Sequence, residues 1–342
     1  MVDSELTLYS RSHKTMGKFT EEIANVIRTE ILDDIVRANT NTNGEIFWVV
    51  EDSDTDFNIL TQRYGNKNVY TTLTDAYAAC TTNRNDVIFL SGNSTHAIAA
   101  GIAWSKSRIH VIGLDGGDRL VQQGAKVQNA TADTAAYVIK VTGTRNTFRN
   151  VKFIQAGTEA TALHVLEEGG EGSLYDHCTF TFGVVDNLDL TTATEVLAGS
   201  DSATYKHCLF GTETLLTSAA RRVFTIDQVT TSQEFKSNIL EDCTFLISSS
   251  SNGAVFVGVV AATDVLFTNL FKNCIFMASL DSAGGVAITN AVQSIGSLVK
   301  GTLNFYMCAS FNCTNFCNTL SAQVMTYGPV TSAQAGEGGT PS

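Results

Sequence analysis

Proline is almost missing from this 342-residue chain: only Pro329 and Pro341 occur, both within the last fourteen positions. The body of the chain therefore carries no residue that removes a donor from a backbone hydrogen-bond ladder. Charge is also sparse, at 16% of residues against roughly a quarter in typical globular proteins. Positive charge is scarcest, with 22 Lys+Arg against 34 Asp+Glu, a net charge of −12 and no basic cluster. Nucleic acid is excluded as the obvious partner, because neutralising phosphates takes clustered Lys and Arg. No run of about 18 apolar residues occurs, so no membrane span is expected. Residues 1–17 also lack the apolar stretch of roughly 7–15 residues that defines a signal peptide.

What is present is apolar: 44% hydrophobic residues, including 19 Phe and 8 Cys, together with 27 Gly. That content excludes general disorder. Low charge with abundant Thr, Ser, Asn and Gly points to β structure with short polar turns rather than to helix bundles. Eight cysteines could form disulfides in an exported protein. A chain this long needs no covalent staples, and no export signal is visible, so reduced, buried thiols are expected.

Helical periodicity is clearest over residues 18–38, where Phe19, Ile23, Val26, Ile27, Ile31 and Ile35 recur at threes and fours on one face. Acids in the first turn, Glu21 and Glu22, suit the positive end of the helix dipole. Two roles stay open for that face: folding back on the protein's own body, or docking on a neighbour. Asn39–Gly44 reads as a turn and Glu45–Glu51 (EIFWVVE) as a strand. A short helix is expected over Thr72–Cys80, with Thr72 and Asp75 in a capping-box pattern and Leu73, Ala76, Tyr77 and Cys80 on the apolar face. Asn85–Asn93 and Arg108–Gly117 read as short strands ended by turn residues.

From there the sequence repeats itself. Related segments are RNVKF (149–153), DHCTF (176–180), KHCLF (206–210), EDCTF (241–245) and KNCIF (272–276), with a looser copy, YMCASF, at 306–311. Centred on Val151, Cys178, Cys208, Cys243, Cys274 and Cys308, they are spaced by 27, 30, 35, 31 and 34 residues. Such a period marks stacked repeats. Alternation within each copy puts the cysteine and the residue two places later on one face, with the residue between them pointing away. Cys178, Cys208, Cys243, Cys274 and Cys308 should therefore line one interior column, and Phe153, Phe180, Phe210, Phe245 and Phe276 a second.

Helical repeats would need apolar residues at threes and fours, whereas these alternate at twos. An all-β, right-handed parallel β-helix fits, with coils about 4.8 Å apart and an N-terminal helical arm that can cover the first open edge. The run LTDAYAAC, NDVIFLSGN, RIHVIGLDGG, with the xNCxF coils, resembles pectin-lyase-like β-helix proteins over roughly residues 69–320. With RLVQQGAKV, FKSNIL and the Gly/Thr/Ser-rich tail, it is similar more narrowly to β-helix virion proteins of tailed bacteriophages. The expected organisation is an arm and cap over 1–68, a solenoid over 69–327 and a polar tail over 328–342.

The resemblance to pectin-lyase-like folds raises polysaccharide cleavage, which needs paired carboxylates over a groove. The NTD, DD, GHG and RIK segments of polygalacturonase-type sites do not occur in the repeat region, and the one adjacent Asp pair is Asp33–Asp34. Asp186, Asp189, Glu195 and Asp201 are the best acidic candidates, but all lie in one insertion and read first as a solvated face. Before each repeat centre stand Asn150, His177, His207, Asp242 and Asn273. Stacked in register, His177, His207 and Asp242 could bind a metal or exchange protons; as turn formers they are expected first to bond backbone groups. Cys308, Cys313 and Cys317 have no CxxC spacing and no nearby His, so buried packing is expected rather than a zinc site. Leu114–Arg119 (LDGGDR) could touch Ca²⁺ but lacks the GGxGxD repeat of calcium β-rolls and reads as a tight turn, and Arg221–Arg222 reads as an intersubunit salt bridge or an anion site.

No catalytic, metal or cofactor site is therefore expected. The family resemblance implies a non-enzymatic structural protein of a tailed-phage virion, most simply a capsid-surface decoration protein that is homotrimeric and contacts other virion proteins. The other reading is a tail spike or fibre that binds or cleaves host surface polysaccharide. A secreted adhesin is a third reading, weakened by the lack of a signal peptide.

Overall fold

Each repeated motif is a corner between two short strands. In the motif at 174–182, Leu174–Asp176 is one strand, His177 turns the chain with φ 52°, Cys178 points inward, and Thr179–Phe182 is the next strand. A third strand, Thr194–Ala198, completes the coil before Thr204–Lys206 restarts it one layer on. Repetition of this path builds three sheets of twelve, eight and eight strands, in which every strand pairing is parallel. The arrangement is a parallel β-helix. This computed structural model describes residues 44–328, apart from 65–66, 115–122, 131–133, 185–188, 231–232, 281–283, 295–297, 299 and 319–322. The helix expected over 18–38, with its face of Phe19, Ile23, Val26, Ile27, Ile31 and Ile35, lies outside the described residues, as do Asp33–Asp34, Asp115–Arg119, Asp186 and the tail beyond Gly328.

Register in the second sheet follows the repeats. Phe153 pairs with Phe180, Phe180 with Phe210, Phe210 with Phe245 and Phe245 with Phe276. Their rings are fully buried and stack at centroid distances of 5.6, 5.5, 4.8 and 4.7 Å. A second aromatic stack runs inside the first sheet, with Phe148, Tyr175 and Tyr205 spaced by 5.2 and 4.9 Å. These spacings are the distance between neighbouring parallel strands, so stacking of like side chains is a consequence of in-register coils.

The cysteine column is continuous through Cys178, Cys208, Cys243, Cys274 and Cys308, all buried, and all eight cysteines are free thiols. The thiols of these five donate, in order, to the carbonyls of Phe148, Tyr175, Tyr205, Leu240 and Phe271 at 3.3–3.5 Å. The acceptor always lies on the preceding coil at the same offset, so the thiols form a ladder that crosses the strands and steps from coil to coil. Burial pushes the Cys178 thiol up to about 12.

Two sequence expectations need correction, and the looser sixth motif departs from the column. In the sixth motif Phe276 pairs with Ser310, and Phe311 is 46% exposed, because it stands three places after Cys308 rather than two and falls on the outer face. Phe305 and Phe316 pack edge-on around Phe276 there instead, at 6.2 and 5.8 Å. Of the residues placed between cysteine and phenylalanine, Ile275 is exposed as expected, but Thr179 and Leu209 are buried. The first sheet also begins upstream of residue 69: Ile46–Val49 pairs in parallel with Asp86–Ser91, a non-local contact that no local pattern signals.

Two short helices precede the regular coils. Thr55–Tyr64 (α1) has no counterpart among the sequence expectations. Leu73–Ala79 (α2) has the expected cap, Thr72 Oγ1 accepting from the Asp75 N–H at 3.1 Å. Its Tyr77 ring stacks on buried Trp104 at 4.0 Å, and Lys106 Nζ donates to the carbonyls of Tyr77, Ala78 and Cys80 at the helix's C-terminal end. A cation there complements the exposed carbonyls and the helix dipole.

Truncating Phe210 to Ala should cost about 3–5 kcal/mol, whereas Phe311→Ala should stay within about 0.5 kcal/mol; urea denaturation distinguishes the two. Cys178 and Cys208 should resist a thiol reagent until the protein unfolds, and rapid labelling of the native protein would contradict the buried ladder.

Candidate functional site

The corner between the first and second sheets gathers the polar residues that stand out in the sequence. Asn150, His177, His207, Asp242, Asn273 and Met307 occupy equivalent turn positions with φ between 51° and 55°. L-residues tolerate this left-handed region poorly, and Asn, Asp and His are the non-glycine types enriched there. The turn reading is therefore right for the backbone. The side chains, however, interact with one another rather than bonding only to local backbone.

His177 and His207 lie on adjacent coils with stacked rings, 4.5 Å between centroids. Asp176 Oδ1 lies 2.9 Å from His177 Nδ1 and 3.3 Å from His207 Nδ1. On its other edge His207 Nε2 faces Asp242 Oδ2 at 3.7 Å, and Asn273 Nδ2 donates to Asp242 Oδ1 at 3.1 Å. Inside the corner, buried Gln123 donates to the His177 carbonyl and, at 3.3 Å, to Asn150 Oδ1. Sequence reasoning placed His177, His207 and Asp242 in one column; Asp176, which joins the two imidazoles, was missed because it belongs to the neighbouring strand position.

That strand position forms a second outward column. Register aligns Arg149, Asp176, Lys206, Glu241 and Lys272 on successive coils. Signs alternate, and ion pairs follow: Arg149–Asp176 at 3.6 Å, Lys206–Glu241 at 3.3 Å and Lys272–Glu241 at 2.5 Å. Each is partly exposed, so each stabilises the fold only modestly. Together three cations and two anions leave the strip beside the histidines with one net positive charge.

The acidic insertion does not form a groove pair among the described residues. Glu195 is buried inside the solenoid, where Arg221 Nη1 and Nη2 donate to its two oxygens at 2.8 and 2.9 Å. Arg221 is thus neither an intersubunit contact nor an anion site, because its guanidinium is fully enclosed and already bidentate. Asp189 accepts from the Ser218 N–H at 2.7 Å, and Asp201 pairs with Lys236 and Ser202. Cys313 and Cys317 are half-buried beside the core rather than members of the interior column, and no Cys cluster with metal-ligand geometry includes them among the described residues.

Sequence reasoning also missed Glu168, a fully buried carboxylate that accepts from the Gly170 N–H at 2.7 Å, from Ser173 Oγ and from Tyr175 Oη. Burial raises its pKa to about 7 despite these donors. No local signal marks it: Glu167 beside it is the same residue type but pairs with Lys140 at 2.7 Å and His164 at 2.8 Å.

This architecture has counterparts among solved structures. The chain is similar to a pectin methylesterase from Aspergillus niger, at 11% identity over 85% of this chain and 86% of that one, TM-score 0.56. It is similar also to the pectate lyase Pel9A, at 13% identity over 87% and 80%, TM-score 0.53. A more distant likeness, to ORF18 of Geobacillus virus E2, has 10% identity over 74% and 52% and a TM-score of 0.46. No family model matches the chain, and no curated protein matches it. At these identities the likenesses to the pectin methylesterase and the pectate lyase establish the parallel β-helix fold and nothing about activity.

Arg221→Met should cost about 3–5 kcal/mol by stranding the Glu195 charge, and adding Glu195→Leu should recover most of the loss; denaturant unfolding of the three proteins checks this. For Glu168 the folded pKa is raised, so the native state holds a proton that the unfolded chain releases. Its contribution therefore favours the fold below its ordinary range near 4.5 and weakens as pH rises towards about 7. Glu168→Gln should remove that fall from a plot of unfolding midpoint against pH.

Proposed function

We propose that this chain is a non-enzymatic structural protein of a tailed-phage virion, a capsid-surface decoration protein that assembles as a homotrimer after synthesis in the host cytoplasm. Its partners are copies of itself and other virion proteins; nucleic acid and membrane are not among them. The observation that carries an assembly role is a change along the solenoid's outer corner. The charged column of Arg149, Asp176, Lys206, Glu241 and Lys272 continues in register as Tyr306 and Tyr327, and the turn column of Asn, His and Asp ends in Met307. Tyr306, Met307, Phe311 and Tyr327 are each at least 40% exposed. Earlier coils are finished with self-paired charge, while the last coils present an apolar face suited to burial against another chain. The virion assignment itself rests on the sequence resemblance to phage β-helix proteins. The non-enzymatic reading is supported by the engagement of Asp189, Glu195 and Asp201 with other groups.

Among the described residues no helix is long and apolar enough to cross a membrane. A second reading, a tail spike that binds or cleaves host polysaccharide, draws on the same exposed aromatics, since sugar rings stack their C–H faces on such platforms. Loss of glycan depolymerisation in Asp186→Asn or Asp189→Asn would favour it.

Sedimentation should give a trimer, and Tyr306→Asp with Tyr327→Asp should shift it to monomer. Cryo-electron microscopy of virions should place the chain on the capsid surface; its absence from purified particles would sink the proposal.

A further inference from the structure

We propose that Asp176, His177 and His207 form a binding site for one borderline divalent transition-metal ion, with Zn²⁺ as the representative species. The two imidazole Nδ1 atoms and a carboxylate oxygen of Asp176 lie within 4.8 Å of one another. Both Nδ1 atoms converge on the same oxygen, Asp176 Oδ1, at 2.9 and 3.3 Å. Tetrahedral zinc with bonds near 2.0–2.1 Å sets its ligand atoms about 3.3 Å apart. Small side-chain rotations therefore make room for an ion between the three. Imidazole and carboxylate together suit zinc and its neighbours rather than calcium or magnesium, which take oxygen ligands.

The surroundings fit a metal site more closely than a chance contact between surface side chains. Asp176 Oδ2 is turned towards Arg149 Nε at 3.6 Å, which leaves Oδ1 directed at the imidazoles. His207 presents its second nitrogen to Asp242 at 3.7 Å, and Asn273 in turn holds Asp242. An outer carboxylate on the far nitrogen is the arrangement that orients a metal-ligating histidine and strengthens it as a donor. Both histidines stand on rigid left-handed turns one coil apart, and buried Gln123 fixes the backbone of His177. The side chains of His177 and His207 remain 40% and 45% exposed, so an ion can enter from solvent and water can complete its coordination. The site is independent of the virion proposal, since it needs only the fold and the register of two coils.

The experiment is calorimetric titration of ZnCl₂ into the full-length chain after chelator treatment and buffer exchange. One ion per chain is expected. His177→Asn and His207→Asn should each weaken binding at least roughly 10-fold, and the double variant should abolish it; Asp242→Asn should weaken it roughly 10-fold through the lost outer carboxylate. Asparagine is chosen because Asn150 and Asn273 hold the same turn conformation in the same column, so metal-free unfolding midpoints should match the intact protein. Co²⁺ in place of Zn²⁺ should give visible ligand-field absorption that disappears in the double variant, while His164→Asn leaves it unchanged. Failure of the intact protein to bind Zn²⁺ at tens of micromolar, or undiminished one-site binding by the double variant, would overturn the site.

Discussion

The structure depends on keeping successive coils in parallel register, about one strand spacing apart. Every column described above follows from that constraint. Phenylalanine stacks on phenylalanine, thiol follows thiol, and one left-handed turn stands above the next because each coil repeats the path of the last. Register is held from inside by apolar burial and by the thiol-to-carbonyl ladder, and at the corner by residues whose backbone accepts positive φ. A one-residue slip would turn the inner columns outward, so the pattern admits a single register.

Part of the polar interior is arranged in pairs and ladders. Asn146 accepts from the Ile109 N–H at 3.0 Å, Asn238 from Ala203 at 2.7 Å and Asn269 from Asn238 at 2.9 Å, each reaching between coils. Glu195 and Arg221 form a bidentate pair within the core. Such groups do not make the solenoid more stable than a well-packed apolar interior would be, but leaving any one of them alone would be costly. The same economy of charge runs along the outside, where the ion-paired column flanks the two histidines and then gives way to tyrosine. The fold is shared with pectin-acting enzymes, and a shared fold does not decide which sites are placed on it.

The repeated strands and both interior columns were legible in sequence because alternation at twos and a spacing near thirty residues are local patterns. Helix α2 was legible for the same reason, through the Thr72–Asp75 cap. The looser sixth copy ends the phenylalanine column, because Phe311 stands three places after Cys308 and the pleat assigns Ser310 to the interior. Glu195, read as a solvated acid, proved to be a buried ion-pair member, since its partner Arg221 lies 26 residues away on the next coil.

By itself the sequence determined the kind of solenoid, the identity of its core columns and the stacking of Asn150, His177, His207, Asp242 and Asn273. Period and alternation specify which residues share a face without reference to any distant contact. Only the tertiary structure decided that Asp176 joins His177 and His207, that Arg221 turns inward to Glu195, and that the charged outer column ends in tyrosine. Those are relations across coils, and loops of unequal length between the strands hide them from any reading along the chain.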